Sequence, residues 1–246
     1  MNYLVMIPTY NAAATLESLG IGVLHVNDAT EILFIDDGST DDTRKIILKL
    51  EEVFPGRVHH LFHEKRLGLG TSYLAGFRWG LAHGYPWLFQ MNADFSHHPA
   101  DLQQLITATR AATGVVGSRF VAGSGDSGSA KWRLMFSRLW SRWIKQRLNT
   151  PVLDMSGGFN GWHKEVLARI NFGQIQSRGS AFQIELKYLA AKAGARYWEV
   201  PIGVGPSSGN RNRFSFKDLY ETLRFTILSK PVNRALASEF TTQRQH

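Results

Sequence analysis

Short apolar runs recur along the first half of the chain and are separated by amphipathic stretches. The runs are YLVMIPT (3–9), EILFIDD (31–37), VHHLFHE (58–64), WLFQMNAD (87–94) and GVVGSRF (114–120). Nearly continuous apolar strands that alternate with helices are typical of βαβ units, in which helices cover both faces of a parallel sheet. The sequence therefore predicts an α/β fold with a mostly parallel central sheet flanked by helices.

Two of the intervening segments carry signals for the start of a helix. In DGSTDDTRKIILKLEEVF, Ser and Asp caps precede apolar residues at helical spacing. In SHHPADLQQLI, Pro99 lies near a first turn and is followed by Asp101. We expect one helix to begin in each segment.

Composition and charge limit the classes of protein and partner. A chain of 246 residues with 43% hydrophobic content can bury the core of one large domain. The net charge of +8 favours phosphates, nucleic acid or an anionic membrane as partners. The absence of cysteine excludes disulfides, thiolate catalysis and sulfur-ligated zinc. With neither a basic leader nor an apolar stretch of roughly 18 residues, we expect a soluble or peripheral protein.

Polar residues follow three of the predicted strands at the point where each strand ends. These groups are Thr9-Tyr10-Asn11, Asp36-Asp37-Gly38-Ser39 and Asn92-Ala93-Asp94. In open α/β sheets, ligands bind outside the carboxyl ends of the strands. The sequence therefore predicts a ligand site at this edge of the sheet.

Each of these groups also has a purely structural explanation. Asp36 and Asp37 can hold a nucleoside or form a capping cluster. Gly68 and Gly70 lack both the third glycine of a dinucleotide-binding loop and the Lys-Ser/Thr of a P-loop. These glycines either let the backbone approach a ligand or help a helix to pack.

Asp94 is the best single candidate for a metal ligand. A divalent cation bound to a nucleotide diphosphate needs only one or two protein carboxylates, because phosphates and water complete its coordination. His97 and His98 are adjacent and cannot both face one metal from the start of a helix. We expect them to cap the helix or to contact substrate.

Basic residues cluster after the fifth strand and near the C-terminus, at Arg119, Arg133, Arg138, Arg211 and Arg213. They indicate either a second phosphate site or a solvated basic face. The sequence GSGDSGSA predicts a loop over residues 123–130. The helix predicted after it has a Trp-rich apolar stripe, which faces either a membrane surface or the domain itself.

Seven segments carry a resemblance to a known family, and they occur in its order from about residue 3 to residue 202. The segments are IPTYN, IDDGSTDDT, GLGTSYLAGF, NADFSHHP, VGSRFVAG, LDMSGGFNGW and AFQIELKYLAAKAGARYWEVPI. Together they resemble the dolichyl- or polyprenyl-phosphate mannose synthases of glycosyltransferase family two.

The resemblance implies an A-type glycosyltransferase fold, GDP-mannose as donor, Mg or Mn as cofactor and a polyprenyl phosphate as acceptor. It implies that the donor and its cation are held by Pro8, Tyr10, Asn11, Asp36, Asp37, Gly68, Asn92, Ala93 and Asp94, with Asn92 and Asp94 as metal ligands. It implies that the acceptor phosphate is bound by Arg119, Arg133, Ser137, Arg211 and Arg213. Of all these residues, the expected catalytic ones are Asp94, Arg119 and Arg133.

Three positions depart from the family pattern. Ala12 stands where an acid is usual, Asn92 replaces the first acid of the Asp-Ala-Asp metal motif, and Asn212-Arg213 replaces a Ser-Lys pair. Because the amide of Asn92 still offers a carbonyl oxygen, we expect weaker metal binding rather than none.

The resemblance further implies one glycosyltransferase domain over residues 1–230, with a nucleotide-binding half at about 1–120 and an acceptor-binding half at about 121–230. Residues 231–246 would form a C-terminal tail. The enzyme would work on the cytoplasmic face of a membrane, held by the membrane surface and by a small membrane-protein partner. Nucleic acid is not an expected partner, because no aromatic residues interleave the basic ones in a binding motif.

The acceptor chemistry explains why no general base is evident. A phosphate monoester has a second pKa of about 6, so it arrives largely ionised at neutral pH. Two alternatives remain open at this point, a transferase that uses a UDP-sugar and a non-catalytic subunit that binds a nucleotide sugar.

Overall fold

The computed structural model describes residues 2–124, 131–179, 181–203 and 216–233. The strands are β1 (Tyr3–Thr9), β2 (Thr30–Asp36), β3 (Val58–Phe62), β4 (Trp87–Gln90), β5 (Gly114–Ser118), β6 (Asn160–His163) and β7 (Tyr197–Pro201). The helices are α1 (Ala13–Leu24), α2 (Thr43–Val53), α3 (Leu69–Ala82), α4 (Pro99–Ala108), α5 (Lys131–Leu148), α6 (Lys164–Ala168), α7 (Ala181–Lys192) and α8 (Phe216–Leu228), with a short 3₁₀ turn at Phe172–Gln174.

All described strands belong to one sheet of order β3-β2-β1-β4-β6-β5-β7. Strand β6 pairs antiparallel with both β4 and β5, whereas the other neighbouring strands pair in parallel. The predicted α/β fold with a mostly parallel sheet is therefore confirmed. Because β6 reverses direction between β4 and β5, those two strands point the same way, and their carboxyl ends lie at the same edge as those of β1 and β2.

The five predicted strands are present, but β2, β3, β4 and β5 end before their predicted ends, at Asp36, Phe62, Gln90 and Ser118. Strands β6 and β7 were not predicted from the sequence. Strand β6 reads NGWH, which has too few apolar residues to show a strand pattern.

Each face of the sheet carries its own hydrophobic core, as alternation along the strands requires. In β1, Leu4 and Met6 face a core that includes buried residues of α3, α5 and α7. Val5 and Ile7 face the opposite core, which includes buried residues of α1, α2 and α4. Two covered faces explain why the strands read as continuous apolar runs.

The two predicted helix starts are confirmed, but only one is capped as expected. Pro99 occupies the first turn of α4, and the ring of His98 accepts a hydrogen bond from the amide of Ala100. The N-cap residue of α2, Asp42, makes no such bond. The carboxylate of Asp41 accepts from the amide of Thr43 instead, and Ser39 bonds to the loop after β1.

Helix α5 packs through one side and exposes the other. Ile144 and Leu148 are fully buried in the core, whereas Met135, Phe136 and Leu139 are largely exposed. No helix within the described ranges has the length and apolar character needed to cross a bilayer.

Candidate active site

The loop after β2 is held by buried hydrogen bonds around Asp36. The Asp36 carboxylate is fully buried, and it accepts from Arg44 Nε at 2.6 Å and from the amide of Ser39 at 3.2 Å. Its neighbour Asp37 joins this loop to β1, because its amide donates to the carbonyl of Thr9. Asp36 therefore organises the edge of the sheet through protein contacts.

Asp37 holds the glycine-rich loop that precedes α3. One of its carboxylate oxygens accepts from the amide of Leu67 and the other from the amide of Gly68, both at 2.8 Å. Gly68 has φ of +97°, a left-handed conformation that a residue with a side chain adopts only under strain. The spacing of acid and glycine therefore serves to fold this loop against the end of β2.

The loop after β1 is bent at Asn11, whose φ is +49°. The Asn11 side-chain oxygen accepts from the backbone amide of Thr40, and the backbone N–H of Asn11 donates to Ser39 Oγ. The adjacent Tyr10 ring is 40% exposed, and the guanidinium of Arg66 lies 4.2 Å from its centroid. An exposed aromatic face backed by a cation suits a planar base. Arg66 was not among the residues predicted to belong to the site.

The first turn of α1 connects all three loops. The amide of Ala12 donates to Thr43 Oγ1, and the amide of Ala13 donates to Asp41. Thr15 Oγ1 donates to the carbonyl of Ala93 at 2.7 Å. Strand β1 lies between β2 and β4, so the ends of those two strands are about 10 Å apart. The predicted convergence of the three polar groups is present in the structure.

Internal hydrogen bonds shape the loop after β4. Asn92 donates from Nδ2 to Ser96 Oγ at 2.9 Å, which directs its carbonyl oxygen Oδ1 the other way. Asp94 is partly exposed, and its Oδ1 accepts from both the amide and the hydroxyl of Ser96. Phe95, directly after Asp94, has φ of +58°, which is unusual for a bulky residue. Strain of this kind is often stored at functional sites.

His97 is a buried, neutral side chain beneath this loop. Its ring stacks on Phe159 at 4.7 Å, and its Nδ1 accepts from the amide of Asn92 at 3.1 Å. Burial lowers the pKa of His97 to about 4, against a weaker opposing effect of Asp94. The expectation that the two histidines cap the helix or contact substrate is thus confirmed for His98 as the cap.

Arg119 follows β5 and forms a buried ion pair. Its Nε and Nη2 each lie 2.8 Å from an oxygen of Asp154, and Nη2 also donates to Ser156 Oγ. Burial disfavours both charges, but the pairing outweighs it, so that the pKa of Asp154 is lowered and that of Arg119 is raised. Both groups are therefore charged at neutral pH.

Lys187 and Glu199 hold the segment around Asp154 through hydrogen bonds to its backbone. Lys187 is fully buried on α7, and its ammonium donates to the carbonyls of Met155 and Gly157. Burial lowers the pKa of Lys187 to about 7, although nearby Asp154 acts in the opposite direction. Glu199 on β7 accepts from the amides of Leu153 and Asp154, and burial raises its pKa.

Comparison with known proteins identifies the family. The sequence model of the family "Glycosyl transferase family 2" matches residues 4–170 of the chain. The chain belongs to glycosyl transferase family 2. The predicted family and the predicted glycosyltransferase class are therefore confirmed.

Two family 2 relatives match most of the chain. One is polyprenol monophosphomannose synthase of Mycolicibacterium smegmatis, 37% identical over 219 residues, which are 85% of this chain and 82% of that protein. The other is undecaprenyl-phosphate mannosyltransferase of Micrococcus luteus, 36% identical over 205 residues, which are 82% of this chain and 83% of that protein.

Solved structures of similar fold include glucosyl-3-phosphoglycerate synthase of Mycobacterium tuberculosis in complex with Mn²⁺, UDP and glucosyl-3-phosphoglycerate. It superposes with a TM-score of 0.61 at 20% identity, over 92% of this chain and 77% of that one. The same enzyme with Mn²⁺, UDP-glucose and phosphoglyceric acid gives a TM-score of 0.60 at 18% identity. At this identity the likeness concerns the fold, and it agrees with the predicted A-type glycosyltransferase fold.

The two predicted metal ligands fit a hard cation that keeps most of its ligands from substrate and water. Asp94 supplies a partly exposed carboxylate, and Asn92 presents an amide oxygen in the same loop. Among the described residues there is no group of three or more His, Asp and Glu side chains that could hold a metal by themselves. Such a donor set suits Mg²⁺ or Mn²⁺ bound together with a diphosphate.

Of the remaining predicted residues, two can be described and the side chains of the others lie outside the described part of the chain. Pro8 lies partly exposed at the end of β1, beside the loops already described. Ser137 is partly buried in the first half of α5. The side chain of Arg133 and all of Arg211, Asn212 and Arg213 lie outside the described residues, as does most of the predicted loop at 123–130.

Asp154 and Lys187 lie in two of the segments that resemble the family, but no role was predicted for them from the sequence. The signal was present, because an acid and a lysine inside LDMSGGFNGW and AFQIELKYL interrupt apolar stretches. Buried charges of this kind are rare unless they are paired.

Proposed function

We propose that this protein transfers mannose from GDP-mannose to a polyprenyl phosphate, with inversion at the anomeric carbon. The observation that carries the proposal is the arrangement of two sites for anionic groups at one edge of the sheet. Both the loop of Asn92 and Asp94 and the ion pair of Arg119 and Asp154 lie near His97, because its ring accepts from the amide of Asn92 and the charges of Asp94, Arg119 and Asp154 act on it. One relative named above is a polyprenol monophosphomannose synthase by name, and the other is an undecaprenyl-phosphate mannosyltransferase by name.

The donor site would be built from the loops after β1, β2 and β4. The Tyr10 face, with Arg66 behind it, would accept the base, and the loop held by Asp37 would lie against the nucleoside. A Mg²⁺ or Mn²⁺ ion bound beside Asp94 would supply Lewis-acid stabilisation of the departing diphosphate. Asn92 and Asp94 would orient the diphosphate at the end of β4.

The acceptor site would be built around Arg119, together with Arg133, Ser137, Arg211 and Arg213. The attacking oxygen belongs to a phosphate that is already ionised, so the protein only has to align it with the anomeric carbon. The new bond joins that carbon to the lipid phosphate as its bond to the diphosphate breaks. Arg119 would offset the repulsion between the two anions, and Asp154 orients its guanidinium.

The lipid chain would enter along the exposed side of α5. Met135, Phe136 and Leu139 are 62%, 69% and 59% exposed, and Arg138 and Arg142 are exposed on the same helix. Apolar residues with basic neighbours suit an anionic membrane surface. We propose peripheral attachment at the cytoplasmic face, aided by a small membrane-protein partner. We also retain the proposed division into a donor half at 1–120 and an acceptor half at 121–230, followed by a tail at 231–246.

The test is a transfer assay with Mn²⁺ or Mg²⁺ and labelled donors. We expect labelled mannose to pass from GDP-mannose to undecaprenyl phosphate, and UDP-glucose to be a poor donor. Asp94→Ala should abolish transfer while the exposed control Asp28→Ala retains it. Preferred use of UDP-glucose would replace the proposed donor, and full activity of Asp94→Ala would contradict the role of Asp94.

A further inference from the structure

The side-chain amide of Gln183 on α7 is buried but only half satisfied. Gln183 is 3% exposed, and its Oε1 accepts a hydrogen bond from Asn160 Nδ2 at 3.1 Å. Its Nε2 has no hydrogen-bond partner among the described residues. Trp162 Nε1 donates to Gln90 Oε1, so Asn160 has to direct Nδ2 rather than its oxygen toward Gln90, and the same Nδ2 lies beside Gln183 Oε1. Turning the Gln183 amide over would therefore place two N–H donors together. The unpaired N–H group is therefore held in one direction.

The unpaired N–H group of Gln183 lies beside the position that a side chain at Gly158 would occupy. A Cβ atom at Gly158 would lie 3.6 Å from Gln183 Nε2, 3.6 Å from His97 Cε1 and 3.8 Å from Asn92 Oδ1. Three side chains from two separate parts of the chain thus surround one small space. The absence of a side chain at Gly158 leaves this space open.

The space is adjacent to both proposed anion sites. Asn92 belongs to the loop of Asp94, where the donor diphosphate would bind. The amide of Gly157, next to Gly158, donates to Asp154, which is paired with Arg119. In a transfer from a diphosphate to a phosphate, the sugar has to lie between the leaving and the attacking oxygen.

We propose that Gln183 is a sugar-contacting residue that determines which sugar is transferred. Its Nε2 donates to a hydroxyl of the bound sugar, and the absence of a side chain at Gly158 leaves the space that this hydroxyl occupies. A buried donor that is paired only by the correct hydroxyl discriminates strongly against a sugar that lacks it at that position. This inference rests on the proposed function and adds its sugar subsite.

Two variants test the subsite in different ways. Gln183→Met removes the donor, and both Nδ2 hydrogens of Asn160 keep acceptors in Gln90 and Gly157. Gly158→Ala fills the space with ordinary contacts and removes no hydrogen bond. The matched controls are Gln103→Met, which is exposed on α4, and Gly203→Ala, whose added Cβ meets nothing within 4 Å.

The measurements are the Kd of GDP with Mn²⁺ by calorimetry, and kcat/KM for GDP-mannose and for GDP-glucose, its C2 epimer. Thermal unfolding shows that each variant is folded. We expect both variants to bind GDP like the wild type, while kcat/KM for GDP-mannose falls about 10-fold or more and the preference over GDP-glucose narrows. The controls should change neither quantity.

The inference would be overturned if both variants kept the wild-type preference for GDP-mannose over GDP-glucose. It would also be overturned if the affinity for GDP fell by the same factor as kcat/KM. A wild-type protein that binds UDP in place of GDP would overturn the proposed donor instead. The same variants would then be compared on UDP-glucose and its C4 epimer UDP-galactose, with the same expected narrowing. A wild type that binds no nucleotide sugar would overturn both proposals.

Discussion

The guanidinium of Arg119 and the carboxylate of Asp154 form a two-point ion pair with both N–O distances at 2.8 Å. Asp154 is fully buried, and it also accepts from the amides of Arg119 and Gly157. One carboxylate thus joins the end of β5 to the segment before β6. The orientation of the proposed acceptor arginine depends on this joint.

We predict that Asp154→Asn destabilises the protein by about 3 kcal/mol, because it leaves the charge of Arg119 without a counter-ion in a largely buried place. Urea unfolding measures the change. The control is Asp42→Asn, which removes an ion pair with Lys45 at the surface and should leave the midpoint unchanged. Equal unfolding midpoints for the two variants would show that the pair contributes little.

A second prediction concerns Asp37 and the loop at 67–68. Asp37→Asn replaces one carboxylate oxygen by an NH₂ group, which cannot accept from a backbone amide, so one of the two loop contacts is lost. We expect about a 10-fold weaker affinity for GDP, because the loosened loop would have to be ordered again on binding, and the lost hydrogen bond to a charged group contributes about 1.5 kcal/mol. Calorimetry with the exposed control Asp28→Asn checks it. An unchanged Kd would place the loop outside the nucleotide site.

The convergence of the acids in the proposed donor half could be predicted from the sequence because they end or closely follow strands with a clear apolar pattern. Asp36 ends β2 and Asp37 follows it, Asp94 lies in the loop after β4, and parallel strands bring such ends to one edge. The positions of strand ends were thus sufficient to predict that these acids converge.

The contacts in the proposed acceptor half could not be predicted in the same way. The contacts of Asp154 and Lys187 depend on β6, which inserts antiparallel between β4 and β5, and its four residues have no apolar repeat. A lysine in an amphipathic helix is also expected to face solvent, whereas Lys187 is fully buried. Local pattern does not report which distant carbonyl or carboxylate pairs with a buried charge.

A third prediction restores the family's metal motif. Asn92→Asp supplies a second carboxylate beside Asp94, and affinity for hard cations increases with the number of charged ligands. We expect the Mn²⁺ concentration for half-maximal transfer to fall about 10-fold. The control Asn171→Asp changes an exposed residue distant in sequence and should have no effect. A higher Mn²⁺ requirement in Asn92→Asp would show that the amide itself is needed.

A fourth prediction concerns the exposed side of α5. Phe136→Ser together with Leu139→Ser removes apolar area that would enter the membrane, and each buried apolar side chain contributes about 2 kcal/mol. We expect at least 10-fold weaker co-sedimentation with anionic vesicles. The matched control is Leu48→Ser with Val53→Ser on α2, which are 48% and 59% exposed. Equal binding of both double variants would remove α5 from the membrane contact.

The last prediction is that the lowered pKa of Lys187 makes the free energy of unfolding depend on pH. The folded protein releases the Lys187 proton near pH 7, whereas an unfolded chain holds it until about pH 10.5. Between these values the unfolded state binds more protons, so the free energy of unfolding rises with pH. The expected gain is about 1.4 kcal/mol for each pH unit above 7.

This gain is measured as the difference between the wild type and Lys187→Met, by urea unfolding at pH 7, 8 and 9. The substitution also removes hydrogen bonds to Met155 and Gly157, but that loss shifts the curve by an amount that hardly depends on pH, so the slope identifies the lysine. Lys192→Met, at an exposed position of the same helix, should keep the wild-type slope. If the curve of Lys187→Met runs parallel to that of the wild type, Lys187 keeps its proton in the folded state and acts as a permanent charge beside Asp154.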